Sequence, residues 1–212
     1  ERNGKEYILN GGLENFSRGR TGLHLEDKWW GEANGLWASF MPGKLERQPL
    51  DVDYGISIKD GNARVTFTNK IAGDKGHIYS QISYTVYKDG DISVKATMDI
   101  DSNFVHVPRV GLSLVAPKGF ETLYWYGRGP GESYCDRKLS APVGEYRSTV
   151  EKTHFPFVPV SHNGSHADTR WFTLEDEDGH SITFSGSLFS FDVHHNTVED
   201  YWEASHEHEL IR

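Results

Sequence analysis

The sequence predicts an all-β chain of antiparallel strands, a sandwich or a barrel, on three observations. Three Asp-Gly pairs, Asp60-Gly61, Asp89-Gly90 and Asp178-Gly179, punctuate the chain. Asp-Gly suits a type I′ hairpin turn, in which both central residues take positive φ. The runs around these pairs alternate apolar and polar residues, the period-two mark of strands with one buried and one wet face. Nothing shows the strand–helix alternation of a parallel barrel, and short half-buried strands between turn signals build sandwiches.

The elements follow in order. The glycine-rich start (Gly11-Gly12, Gly19, Gly22, Gly31, Gly35) reads as loop with short strands, packed by Trp29, Trp30 and Trp37. Val65 and Phe67 lead away from the first Asp-Gly pair. Ile82, Tyr84 and Val86 alternate before the second pair, and Ile92, Val94, Ala96 and Met98 after it. Further strand runs are 104–115, 122–126, 169–174, 181–184 and 188–193. One helix is predicted near the end. Thr197 precedes Val198-Glu199-Asp200, an N-cap with an acid at the third helical position. Val198, Trp202, His206 and Leu210 then fall at spacings of four along one face. No linker interrupts the pattern, so residues 1–212 read as a single β-sandwich domain.

Composition sets outer bounds. A chain of 212 residues buries roughly 70% of its extended surface, enough for a self-supporting core. Net charge is -9 with the acids scattered, which argues against a nucleic-acid partner needing clustered Lys and Arg. No apolar run approaches the ~20 residues of a membrane-spanning helix. The one cysteine, Cys135, cannot close an internal disulfide, so cytoplasm and periplasm both stay open. The first residue is Glu1, and the chain reads as a fragment or a processed product.

The most informative stretch is Leu123-Tyr124-Trp125-Tyr126-Gly127-Arg128-Gly129-Pro130-Gly131-Glu132-Ser133-Tyr134-Cys135-Asp136-Arg137. A phosphate loop would need a following helix, and none is signalled. The stretch reads instead as a strand ending in a tight corner that fixes Arg128, Glu132, Asp136 and Arg137. It resembles the W-x-G-x-G-P-x-E-N-Y-x-D-R stretch in the last domain of glycoside hydrolase family 2 β-galactosidases. That domain also occurs as a separate small chain in some two-subunit members.

Three further segments carry the resemblance. Asn15-Phe16-Ser17-Arg18-Gly19-Arg20-Thr21 resembles an N-F-x-R-x-x-T run, although Gly22, Leu23 and His24 replace the acidic D-N-D trio that often follows. The run from Val158 to Trp171 resembles P-x-E-N-G followed by R-W, with His162 in place of the family's glutamate. Phe189-Ser190-Phe191, and the run from Asp200 to Leu210, resemble F-x-F-S and D-L-x-x-A-x-H-x-x-E-L. The resemblance implies a large antiparallel supersandwich like that of galactose mutarotase. It implies that the catalytic glutamates lie in a TIM barrel domain and that this chain has no catalytic residue. It also implies a parent enzyme that uses magnesium or sodium ions, with no cofactor in this chain. Partners would be the other domains or the large chain, together with carbohydrate, in a protein able to oligomerise. By the same alignment, a G-G-x-x-S-W loop that carries a sugar-facing Trp lies beyond Arg212.

Candidate contact residues remain. His162 and His166 flank Gly164 in a polar turn and, with Asp168 and Arg170, are candidates for a carbohydrate or interdomain contact. One of Trp29 and Trp30 joins them, because adjacent residues of an extended segment point to opposite sides. His194-His195 and His206-x-His208 invite a metal reading. Zinc sites need three or four converging ligands, and His206 and His208 diverge by roughly 200° on a helix, so the expectation is no metal and a packed His206. The competing reading is a mutarotase-like sugar-binding protein or aldose epimerase. It would pair a histidine acid with a carboxylate base: His162 or His166 with Asp168, or His106 with a strand-end Glu.

Overall fold

The computed structural model describes residues 1, 4–21, 37–57 and 60–210. Trp29 and Trp30, together with Gly22, Leu23 and His24, lie outside the described residues. The fold class is the expected one, all-β with antiparallel sheets. Among the described residues ten strands run in chain order: β1 (Asn10–Asn15), β2 (Glu46–Ile56), β3 (Ala63–Gly73), β4 (Gly76–Val86), β5 (Ile92–Ile100), β6 (Gly111–Val115), β7 (Thr122–Arg128), β8 (Val143–Thr149), β9 (His166–Glu175) and β10 (Ser181–Phe191). Two four-stranded sheets have the orders β2-β3-β4-β5 and β10-β9-β7-β8, and a two-stranded sheet pairs β1 with β6. The described residues group into two compact units, one around each four-stranded sheet.

The Asp-Gly pairs do make hairpins, but not of type I′. Among the described residues Asp168 is the one non-glycine with positive φ, so each Asp of a pair keeps ordinary φ and only the Gly turns left-handed. At the second pair Gly90 donates to the Tyr87 carbonyl (3.0 Å), and Tyr87 donates to that of Asp91 (2.9 Å). Gly179 with Asp176, and Asp176 with His180, repeat the pattern. This is a type I turn closed by a left-handed glycine, a bulged hairpin one residue longer than predicted.

Other boundaries also differ. The run 104–115 is strand only over Gly111–Val115. β10 is continuous, with register shifts between Ser185 and Phe189 and between Phe189 and Phe191. β2 and β8 were not expected. β2 carries Pro49 and Gly55, residues that weaken a strand signal, but it is an edge strand with a register irregularity after Pro49, a place where sheets tolerate proline. Among the described residues there are two α-helices, not one: α1 (Val150–Thr153) and α2 (Val198–Glu203). α2 starts at Thr197 with the expected reciprocal cap to Asp200, but it is only six residues long. The predicted stripe is therefore broken after Trp202. Tyr201, Ala204 and Leu210 pack with Val160 instead, and His206 is exposed beside Glu209 rather than packed.

Each sheet makes its own core. In the β7–β10 unit Phe120, Leu123, Trp125, Val150, Leu174 and Phe191 are buried together, with Phe172 stacked between Phe184 and Phe191 at 4.7 and 4.2 Å. In the β2–β5 unit Phe16, Phe40, Ile71, Ile78 and Phe104 form the core. The register puts Ile56, Ala63, Val86 and Ile92 in one cross-strand row and Tyr54, Val65, Tyr84 and Val94 in the next. One face of this sheet is thus apolar except at the Asn69–Ser80 row. Its end near Ile71 and Ile78 is buried, while Val52, Tyr54, Ile56, Phe67, Ile92 and Val94 are exposed.

Candidate functional site

The corner after β7 is built as two separate ionic brackets. Trp125 is inward on β7 and almost fully buried, and its indole N–H donates to the Arg128 carbonyl at 2.9 Å. Gly127 is obligatory here, because a Cβ would lie 2.9 Å from the Thr169 Cα on β9. Arg128 then donates to Asp168 at 2.5 Å and to the carbonyls of Lys138 (3.1 Å) and Ala141 (3.0 Å). Lys138 reaches the other Asp168 oxygen at 2.7 Å. Hydrogen bonds from Lys138 first, then Arg128, hold the Asp168 carboxyl below its usual range. Arg170 donates to the Asp168 carbonyl at 2.6 Å and lies over the Tyr126 ring.

The second bracket centres on Glu132. It pairs with Arg137 and accepts from the Tyr134 hydroxyl and the Gly164 N–H, both at 2.9 Å. Burial pushes this carboxyl up, but Gly164, Arg137 and Tyr134 together hold it below the usual carboxylate range. Burial pushes the Tyr134 hydroxyl strongly up, helped by Glu132. Asp136, expected in this network, is exposed, and no bond ties it to Glu132 or Arg137 among the described residues. The Gly129–Pro130 peptide is cis.

His162 and His166 sit on opposite sides of Gly164, and both are buried, 5% and 2% exposed. Neither faces open solvent, as a site for a soluble sugar would require. His166 packs against Trp125 with ring centroids 4.3 Å apart and tilted by 38°, and its Nδ1 donates to the Arg128 carbonyl at 3.2 Å. Burial pushes its pKa down, which keeps the ring neutral. His162 lies 4.7 Å from the His194 ring and 5.0 Å from Tyr201, with its Nε2 3.8 Å from Asp192. The Tyr201 hydroxyl bonds His154 Nδ1 at 2.9 Å and His194 Nδ1 at 3.4 Å, and His154 Nε2 meets Glu207 at 2.7 Å. Sequence reading noted His194 but missed Asp192, His154 and Tyr201, because 162, 192 and 201 meet only once β10 and α2 are folded.

His106 is elsewhere. It lines a shallow depression of about 150 Å³ with Ser39, Phe40, Lys75, Phe104 and Val105. Among the described residues no carboxylate lines it, so they do not assemble the acid–base pair of an epimerase there. A buried network was also missed. Glu14 accepts from Arg47 at 2.7 Å, from Asn69 at 2.8 Å, and from Ser80. Its signal was present: Asn69 and Ser80 interrupt the apolar alternation of β3 and β4 and are cross-strand partners.

The comparisons with known proteins match the corner and the surrounding chain. The family described as "Beta galactosidase small chain" matches residues 1–212. The chain belongs to the β-galactosidase small-chain family. A β-galactosidase of Streptococcus thermophilus is 29% identical over 210 residues, covering 98% of this chain and 20% of that protein. One of Vibrio cholerae is 28% identical over 229 residues, 92% of this chain and 22% of that protein. One of Halalkalibacterium halodurans is 26% identical over 215 residues, 98% and 20% respectively. The chain of this family member therefore spans about one fifth of the length of the curated relatives it matches.

Proposed function

We propose that this chain is the accessory, non-catalytic part of a glycoside hydrolase family 2 β-galactosidase, as a small subunit or as the corresponding domain. The catalytic carboxylates would sit in a separate TIM barrel, and terminal β-galactosides would be the substrate. One observation carries the reading: the whole chain matches β-galactosidases, yet only one fifth of their length. The carboxylates of the corner support it. Asp168 and Glu132 are each locked to basic partners with lowered pKa values, the reverse of the raised acid that glycoside hydrolysis needs. Their role is to hold the corner's shape. The exposed apolar end of the β2–β5 sheet supports it too, since a contiguous apolar face of this kind marks a contact with another protein surface. That face would meet the remainder of the enzyme.

The test is hydrolysis of a chromogenic β-galactoside by this chain alone, and then mixed with a barrel-containing large chain. The chain alone is expected to be inert and the mixture active. Activity in the isolated chain overturns the proposal.

A further inference from the structure

We propose that His162, Asp192 and His194 form a binding site for a divalent transition-metal ion of the zinc class. One ligand atom from each of the three lies within 4.8 Å of the others. The set comes from two places in the chain: His162 from the turn before β9, and Asp192 and His194 from the segment just after β10. Two imidazoles and one carboxylate are a donor set that zinc, cobalt and nickel accept. It also leaves a coordination position for water.

The spacing fits an ion better than a direct bond. His162 Nε2 stands 3.8 Å from the Asp192 carboxylate, beyond a hydrogen bond. Two ligands each about 2.1 Å from a tetrahedral zinc stand about 3.4 Å apart, so the His162–Asp192 pair needs to close by only about 0.4 Å to share an ion. The surroundings orient the ligands as metal sites require. His194 turns its Nδ1 to the Tyr201 hydroxyl, which directs its Nε2 to the ion. That hydroxyl is fixed in turn by His154, and His154 by Glu207. Such outer hydrogen bonds set the ring orientation of metal-bound histidines. His162 is fixed through its backbone, whose N–H donates to the Arg20 carbonyl at 2.6 Å. A Cβ on Gly19 would come within 2.6 Å of the His162 Cβ, so the ring has little room to swing away.

A second group of three, Asp176, Asp178 and His180, lies in the turn between β9 and β10. Lys5 occupies Asp176 at 2.6 Å. The backbone N–H groups of Asp178 and His180 donate to the same carboxylate at 3.0 and 2.8 Å. That hairpin cluster serves as the control.

The experiment uses purified protein, with any large chain that accompanies it, freed of metal by chelation. Zinc is titrated calorimetrically, and cobalt is titrated by its visible absorption, which reports imidazole and carboxylate ligation directly. One equivalent is expected to bind with micromolar affinity and to raise the unfolding temperature. Because His162 is buried, the diagnostic variants are the milder Asp192→Asn and His194→Gln. Each should weaken binding by about 100-fold, while the double variant Asp176→Asn/His180→Gln binds as the parent does. Absence of saturable binding overturns the proposal. So does binding that survives in Asp192→Asn and His194→Gln, or that is lost in the hairpin variant.

Discussion

Glu14 carries a charge on the apolar side of the β2–β5 sheet, where an unpaired carboxylate would cost several kcal/mol. Arg47, Asn69 and Ser80 together satisfy it. Burial pushes its pKa up, but the bonds from Ser80 and Asn69, with Arg47, outweigh burial and leave it below 4.5. A carboxyl with a depressed folded pKa stabilises the fold above its unfolded pKa, and that contribution is lost as pH falls through the folded value. Glu14→Gln should therefore cost about 2–3 kcal/mol at neutral pH and flatten the acid limb of stability below pH 4.5. Unfolding midpoints in urea across pH check both parts. His166 acts in a different window. Its folded pKa is lowered from 6.5 by burial, so the unfolded chain binds its proton first and stability falls as pH drops below 6.5. His166→Asn should remove that upper part of the acid limb and leave the Glu14 part in place. At this scale sequence was a fair guide to residues that act locally, such as Arg128. It was a poor guide to Glu14 and Asp192, whose partners lie in other strands or loops.

Elements were legible where their signals are short-range. The reciprocal cap of α2 needs only Thr197 and Asp200, and both bonds form. Thr197→Ala should then cost about 1 kcal/mol, read as a lower unfolding temperature. His154, Tyr201 and His194 are held together by hydrogen bonds, so exchange of the α2 amides should rise with it. Strands were harder. β2 was hidden by Pro49 and Gly55, and only its edge position tolerates them. The Asp-Gly pairs marked the right places but the wrong turn, because Asp keeps negative φ once a longer loop gives Gly alone the left-handed position. β7 shows what sequence cannot announce about glycine. Gly127 is needed for its close approach to Thr169, not for an unusual φ. Gly127→Ala would force β7 and β9 apart and is expected to cost about 1–3 kcal/mol, whereas Ala at Gly131, with open space around it, should be tolerated.

At the scale of the molecule, the described residues leave one apolar sheet end exposed, and a contiguous apolar face marks a contact surface. Ile56 and Ile92 stand at opposite edges of the same cross-strand row, 75% and 53% exposed. Replacing both by lysine removes apolar surface without opening a cavity, so stability should change by no more than about 0.5 kcal/mol per site. Two consequences are expected, and the second separates a docking face from a mere surface irregularity. The chain alone should bind less of a hydrophobic dye and self-associate less, whatever the face is for. If the face meets the rest of a β-galactosidase, the double variant should also fail to restore activity to a barrel-containing chain, although it remains folded. A buried lysine without a partner at a protein contact is costly, so the loss should be large rather than graded. Full activity in the mixture with the lysine variant would mean that the enzyme is completed through some other surface of this chain.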